Sequence, residues 1–430
     1  MRRCGSPRSF RTFGAAGDRR VNRTRLLERF LRYVRTATTA DDSTDVYPSS
    51  PGQLELGRIL VDEAQRMGYA AAHQDEHGLV WIEIGSNRGD ALPRIAFNAH
   101  LDTSPETSGT DVRPHVIDAY DGSDLVLAGD PTKVIRVAEN PELRTVIGKT
   151  IVTTDGTTLL GGDDKAGVAI LMELAETLAE RPELPHGPIT ILFTCDEEIG
   201  RGVKHVDFAK LGATACYTLD GGGADIVDVE TFSADLAIVK VRGVNIHPSI
   251  GKGRMVNALR VAGAFLSELP IELSPERTEG REGFLHPYVI DGGVAEVTIR
   301  ILLREFDTPK LAERADLLRE IGSRVESLHP GSSIAIEVRQ QYRNLADGLA
   351  KEPRAVGHAI EAHRRLGRTA RKEIIRGGTD GSVMTEKGLP TPNLSSGQHN
   401  LHSPLEWACL DEMIAAGEVC LKLAEVWSEG

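Results

Sequence analysis

Three short apolar runs in this chain each end in a knot of charged side chains, and that pattern limits the fold more than any other feature. The run 189–193 passes through "FTCDEEIG" into Asp196, Glu197 and Glu198. The run 94–98 enters "NAHLDTSP" with His100 and Asp102, and the run 213–219 ends at Asp220 in "LDGGGAD". Between them, "GGDDKAG" sets Asp163 and Asp164 at the start of a helical pattern whose apolar face is Val168, Leu171, Leu174, Ala175 and Leu178. A further helix is expected at 53–67, stopped by Gly68, and a strand at 78–83. Strand and helix patterns in alternation predict an α/β fold: a mostly parallel central sheet flanked by helices. Open sheets of that kind bind ligands in a crevice beyond the carboxyl ends of their strands, which is where the charged knots fall.

At 430 residues the chain exceeds the size one core usually serves, so two domains are expected. The character changes near Ala234. "ADLAIVKVRG" alternates, "MVNALRVAGAFLSELP" is an amphipathic helix, "VAEVTIRILLREFD" a long strand, Lys310–Leu328 a helix and "SIAIEVRQQY" another strand. These elements describe a small α+β module inserted into the larger domain. The resulting division is an Arg-rich extension at 1–21, the larger domain at 22–233 and 344–430, and the insertion at 234–343. The extension belongs to a stretch with eleven arginines up to Arg35 against Asp18 and Glu28, and is read as a disordered tail or import leader.

A net charge of −13 argues against nucleic acid as a partner, because it repels a phosphate backbone. No apolar run is long enough to span a membrane. Five scattered cysteines without a CxxC pair fit a reducing compartment, the cytoplasm.

Each charged knot has a plain reading as well as a chemical one. His100 and Asp102 lie two apart and share a face of an extended segment, as a metal-bound histidine and its orienting carboxylate would; alone, the triplet is an ordinary loop. Asp163 and Asp164 suit a helix cap, and Asp196, Glu197 and Glu198 a solvated turn. At a strand end the adjacent Glu197 and Glu198 should point in opposite directions. Asp220 ends an apolar strand, where a carboxylate is costly unless hydrogen-bonded or metal-bound. His402 and Glu406 are four apart and are expected on one face at the start of the last helix. Taken together, carboxylates mixed with imidazoles suit Zn, Mn or Co better than Mg or Ca. Two such ions would clamp a water and polarise a carbonyl.

"FNAHLDTSPETSG", "TTDGTTLLGGDDKAG", "FTCDEEIG", "LDGG", "NIHPSIGKGRMVNA", "REFD", "RGGTDGS" and "HNLHSPLE", in this order, resemble the M20 metallopeptidases from about Asn22 to Trp427. The resemblance implies a zinc-peptidase-like catalytic domain with an inserted lid and two Zn2+ per subunit, Co2+ or Mn2+ being alternatives. It also implies short peptides as partners and a homodimer. His100, Asp163, Glu198, Asp220 and His402 match the metal ligands, Asp163 as the bridge and Asp164 as its non-ligand neighbour. Asp102 matches the residue orienting His100, and Glu197 the general base. His247 matches a lid histidine that holds the substrate, and Arg304 and Arg376 match substrate-positioning residues. The implied reaction is release of the N-terminal residue from tripeptides. Dipeptidase or N-acyl-amino-acid hydrolase activity, and a non-catalytic peptide- or metal-binding module, are the alternatives. Gly162 stands where the resemblance has Ala. No residue is marked for the substrate's free amine, for which Asp196, Asp225 and Asp380 are candidates.

Overall fold

Strands Ile189–Thr194 and Ile95–His100 are buried at every position, as strands covered on both faces are. The structure, a computed structural model, describes residues 21–89 and 91–430, so the extension expected at 1–21 lies, apart from Val21, outside the described residues. The two strands run parallel, with Ile95 opposite Ile189 and His100 opposite Thr194. On the other side of Ile95–His100, Ala215–Gly222 is parallel, with Asn98 opposite Thr218. Asn393–His399 follows, again parallel. This register brings the ends of three motif-bearing strands to one edge, so His100, the Asp196–Glu198 knot and Asp220 emerge side by side.

The parallel strands are the centre of an 11-stranded mixed sheet. Its flanks, Val80–Ile84 on one side and Trp407–Cys409 with Ile151–Thr153 on the other, are antiparallel. For the pair Asn393–His399 and Trp407–Cys409 the physical reason is connection length. Residues 400–406 between Asn393–His399 and Trp407–Cys409 are too few for a crossover, and a short link can join only antiparallel neighbours.

Helix Gly162–Glu180 is buried nearly all round rather than along the single face expected. The sheet covers one side, and helices Arg23–Tyr33 and Leu410–Trp427 cover the rest. Its Glu173 is 1% exposed and takes Arg25 and Arg29 as partners at 2.7 and 2.9 Å. Arg29, itself buried, also contacts Glu63 at 3.1 Å and Glu176. This ion network pins the first helix across the central one.

The insertion forms a second, antiparallel sheet in the order Phe284–Gly292, Glu296–Glu305, Ser233–Arg242, Ser333–Tyr342. Helices Ala258–Ser267 and Lys310–Leu328 close a separate apolar core with it. The strand Phe284–Gly292 has no counterpart in the sequence reading. It carries Pro287 beside a register irregularity and sits at the sheet's edge, the position where a proline's missing N–H is tolerated. Where the chain passes between the sheets, Phe232 packs on Phe284 and Phe306 with ring centroids 5.5 and 4.3 Å away.

Arg29→Ala would remove the cation that Glu63 and Glu173 share while leaving Arg32 on the first and Arg25 on the second, and a loss of about 2–3 kcal/mol is expected, below the cost of a buried charge left with no partner. Urea denaturation checks this, with the exposed Arg242 of the Arg242–Glu296 pair as a control whose replacement should leave the midpoint unmoved.

Candidate metal centre

Asp163 lies at the meeting point of the charged knots. Its Oδ1 is 3.0 Å from His100 Nε2 and its Oδ2 is 3.3 Å from His402 Nε2. His402 Nε2 is also 2.9 Å from Glu198 Oε2, and His100 Nε2 is 3.9 Å from Asp220 Oδ1. The six residues predicted to hold or orient metal (His100, Asp102, Asp163, Glu198, Asp220 and His402) therefore converge.

Backbone geometry delivers each of them. Gly161 has φ +78°, the left-handed region open to glycine, and turns the chain into the helix that carries Asp163. The peptide bond between Asp163 and Asp164 is cis. Asp164 serves the main chain: its oxygens accept from the N–H groups of His100 and Gly167, both at 3.2 Å. Asp196 also adopts a left-handed conformation, φ +61°, and starts a 3-10 turn over Glu197–Ile199. Glu197 and Glu198 thus sit on a turn rather than on alternate faces of a strand, because the strand has already ended at Thr194. Asp102 fixes that turn by accepting from the N–H groups of Glu197 and Glu198, each at 3.0 Å. The same residue holds His100 from behind, with Nδ1 3.2 Å from its carbonyl and 3.4 Å from Oδ1.

Glu406 corrects another expectation. It and His402 do not open the last helix, which begins at Leu410; His402 stands in a turn with φ +60°. Glu406 is 1% exposed and accepts from the N–H groups of Leu160, Gly161 and Asp163 at 2.7, 2.8 and 3.0 Å. A Cβ on Gly162 would lie 3.0 Å from its Oε1, a tight fit that glycine avoids. The carboxylate is an internal cradle for the loop that presents Asp163. A glutamate four residues after a histidine carries no sign of this task in sequence.

Asp196 has a similar internal role. Its carboxylate accepts from Ser49 N, Ser49 Oγ and Gln53 Nε2 at 2.8, 2.5 and 2.7 Å. Asp225 lies 3.8 Å from His363, and neither residue lines the cavity, whereas Asp380 does.

The electrostatics follow from crowding. Burial alone would raise the Asp163 carboxyl, but hydrogen bonds with His100 and His402 hold it well below the ordinary range. Burial and then Asp163 push Glu198 up to about 7. Burial first, with Asp220, Asp380 and Glu198 adding to it against His100, raises Glu197 well above a normal glutamate. Against its own burial, His402 is pushed up to about 11 by Asp163 and Glu198. Such a cluster favours added positive charge. Glu198 Oε1 is buried with no hydrogen-bond partner, and two sets of ligand atoms, His100–Asp163–Glu198 and His100–Asp164–Asp220, each lie within 4.8 Å of one another. These are the marks of a cation site built from nitrogen and oxygen donors.

The cluster opens into a cavity of about 1720 Å³ between the two sheets. Arg304 and Arg376 line it. Arg304 Nη1 donates to Gln341 Oε1 at 3.0 Å and to the main chain. Arg376 donates to the carbonyls of Gly280 and Glu282 at 2.9 and 2.8 Å and to Thr278, and it stacks over Phe232. His247 is exposed, with Nδ1 2.7 Å from Ser249 Oγ, and lies outside the cavity lining.

A family profile described as peptidase family M20/M25/M40 matches residues 155–426. A protein named peptidase T from Geobacillus thermodenitrificans is 39% identical over 404 residues, 94% of this chain and 98% of its own length. The chain belongs to peptidase family M20/M25/M40. As a member of this family it is a peptide-bond hydrolase. Among solved structures it is similar to the aminopeptidase PepT of Bacillus cereus, with TM-score 0.73 and 22% identity over 95% of this chain and 99% of that one. It is also similar to a tripeptidase of Staphylococcus aureus, with TM-score 0.74 and 22% identity over 95% of this chain and 100% of that one. Both agree with the two-sheet architecture of this M20 member.

Glu406→Ala leaves three buried N–H donors without an acceptor, and a loss of about 3 kcal/mol is expected. Glu406→Gln, which keeps an acceptor oxygen, should lose less than half as much. Equal losses in urea denaturation would show that the cradle does not depend on those hydrogen bonds.

Proposed function

We propose that the cavity is the active site of a two-metal aminopeptidase that releases the N-terminal residue of tripeptides. The observation that carries this reading is Asp163, whose two oxygens face His100 and His402 separately. One ion would be held by His100, Asp163 and Asp220, and the other by Asp163, Glu198 and His402. Asp164 lies within reach of His100 and Asp220 but is assigned to the main chain, whose N–H groups its two oxygens accept. Zn2+ suits these donors, with Co2+ or Mn2+ as alternatives. When bound, such a pair supplies a water of lowered pKa and polarises the peptide carbonyl.

The remaining work falls to the chain. Glu197 beside the cluster accepts the proton of the attacking water at its carboxylate and returns it to the departing amine. Burial holds its carboxyl above the ordinary range, which makes it a stronger base than an exposed glutamate. Asp102 keeps His100 and the Glu197–Glu198 turn in register. Arg304 and Arg376 give the far wall of the cavity a positive charge suited to a peptide's C-terminal carboxylate. His247, carried on the lid formed by 234–343, adds a donor to the carbonyl oxygen when the lid closes. The name of the relative from Geobacillus thermodenitrificans and those of the two solved structures support an aminopeptidase acting on tripeptides. Action in the cytoplasm fits four described cysteines that are all free thiols, and no described helix is long and apolar enough to cross a membrane. Homodimerisation through the lid belongs to the same reading; its edge strand Phe284–Gly292 exposes Tyr288 and Ile290.

Zinc-loaded protein should cleave free tripeptides and leave N-acetylated tripeptides, dipeptides and N-acetyl amino acids largely untouched. Equal cleavage of the blocked tripeptide would defeat the aminopeptidase reading. Glu197→Ala should retain both ions by elemental analysis while losing most turnover, and loss of the ions with the activity would reassign Glu197 as a ligand.

A further inference from the structure

Asp220 is held from behind by a chain of two side chains. Its main-chain N–H donates to Asn393 Oδ1 at 3.0 Å. The other end of that amide, Nδ2, donates to Asp228 Oδ2 at 2.9 Å. Asn393 is fully buried and Asp228 is 6% exposed. The strands that carry them, Asn393–His399 and Ile226–Thr231, are antiparallel, with Asp228 directly opposite Asn393. An asparagine amide can fit its pocket either way round. Here only one orientation works, because turning it over would set NH2 against the Asp220 N–H and the carbonyl against the Asp228 carboxylate. Further along the same strand, Gln398 Nε2 donates to Asp220 O and Oδ1 at 3.2 and 3.1 Å. Asn393 thus secures the main chain of Asp220 while Gln398 aims its carboxylate.

We propose that Asp228 and Asn393 are positioning residues for the ion held by His100 and Asp220: Asp228 sets the orientation of the Asn393 amide, and Asn393 fixes the Asp220 backbone. The inference rests on the reading of Asp220 as a ligand. It makes a selective statement about the two ions. The Asp228–Asn393 pair contacts Asp220 but neither Glu198 nor His402, so its loss should weaken one ion and spare the other. A pair that only stabilised the sheet would lower the melting temperature without distinguishing them.

The test is stepwise zinc binding to the full-length protein, read by competition with a chromophoric chelator beside thermal unfolding. Asp228→Ala is expected to weaken one of the two zinc ions by about tenfold to a hundredfold, the usual cost of losing a group that supports a ligand. It should be the ion that Asp220→Ala also weakens. Asp228→Asn, whose carbonyl can still accept from Asn393 Nδ2, should stay close to the parent protein. If Asp228→Ala does not fold, Asn393→Asp is compared with the exchange Asp228→Asn/Asn393→Asp. The single change sets two carboxylates together, and the exchange restores a donor–acceptor pair and with it the weakened affinity. The proposal is overturned if Asp228→Ala leaves both affinities unchanged or weakens them equally, or if the exchange restores nothing. If Asp220→Ala itself changes neither affinity, the ligand assignment fails and takes the inference with it. A change in Asp220→Ala without one in Asp228→Ala defeats the positioning inference alone.

Discussion

The arrangement turns on one carboxylate. Asp163 faces a histidine from each half of the larger domain, His100 before the lid insertion and His402 after it. A buried carboxylate between two imidazoles is paired by them, but its direction depends on the loop that carries it. Glu406 sets that loop by accepting from the N–H groups of Leu160, Gly161 and Asp163. The interior carboxylate thus shapes the loop, and the loop presents Asp163 to the cavity.

The same division recurs across the centre. Asp102 gathers the Glu197–Glu198 turn, Asp196 ties that turn to Ser49 and Gln53, and Asn393 with Gln398 holds Asp220. Polar residues that face the cavity are backed by polar residues that face inward. Asp102 and Asn393 accept from main-chain N–H groups and Gln398 donates to the Asp220 carbonyl and carboxylate, which leaves the outer set few alternative rotamers. Such rigidity suits chemistry that depends on holding donors in fixed positions before a substrate arrives.

The lid is organised differently. It has its own core, and one of its ties to the larger domain runs through Phe232, Phe284, Phe306 and Arg376, beside the Arg281–Glu230 pair. Arg376 uses its guanidinium on the carbonyls of the 278–282 loop, so a wall of the cavity is also a tether of the lid. Binding at that wall and the placement of the lid therefore share one side chain.

The sequence by itself determined the central strands, the inserted module and the residue types of the candidate metal centre. Long apolar runs and 3.6-residue periodicity are local signals, and the charged knots at strand ends mark the edge at which a parallel sheet binds. Tertiary structure alone decided what those signals leave open. Glu406 and His402 suggested a helix face but are separated into a cradle and a turn that brings His402 to Asp163, because the first is turned inward by three N–H groups from a loop over two hundred residues earlier. The strand Asn393–His399, rich in Ser, Asn and Gln, has no apolar alternation to reveal it; its polar side chains are buried because each meets a partner brought from another strand. Residue type and spacing record which groups are available for chemistry. Which of them face the cavity and which hold it in shape is settled by long-range hydrogen bonds that no local pattern encodes.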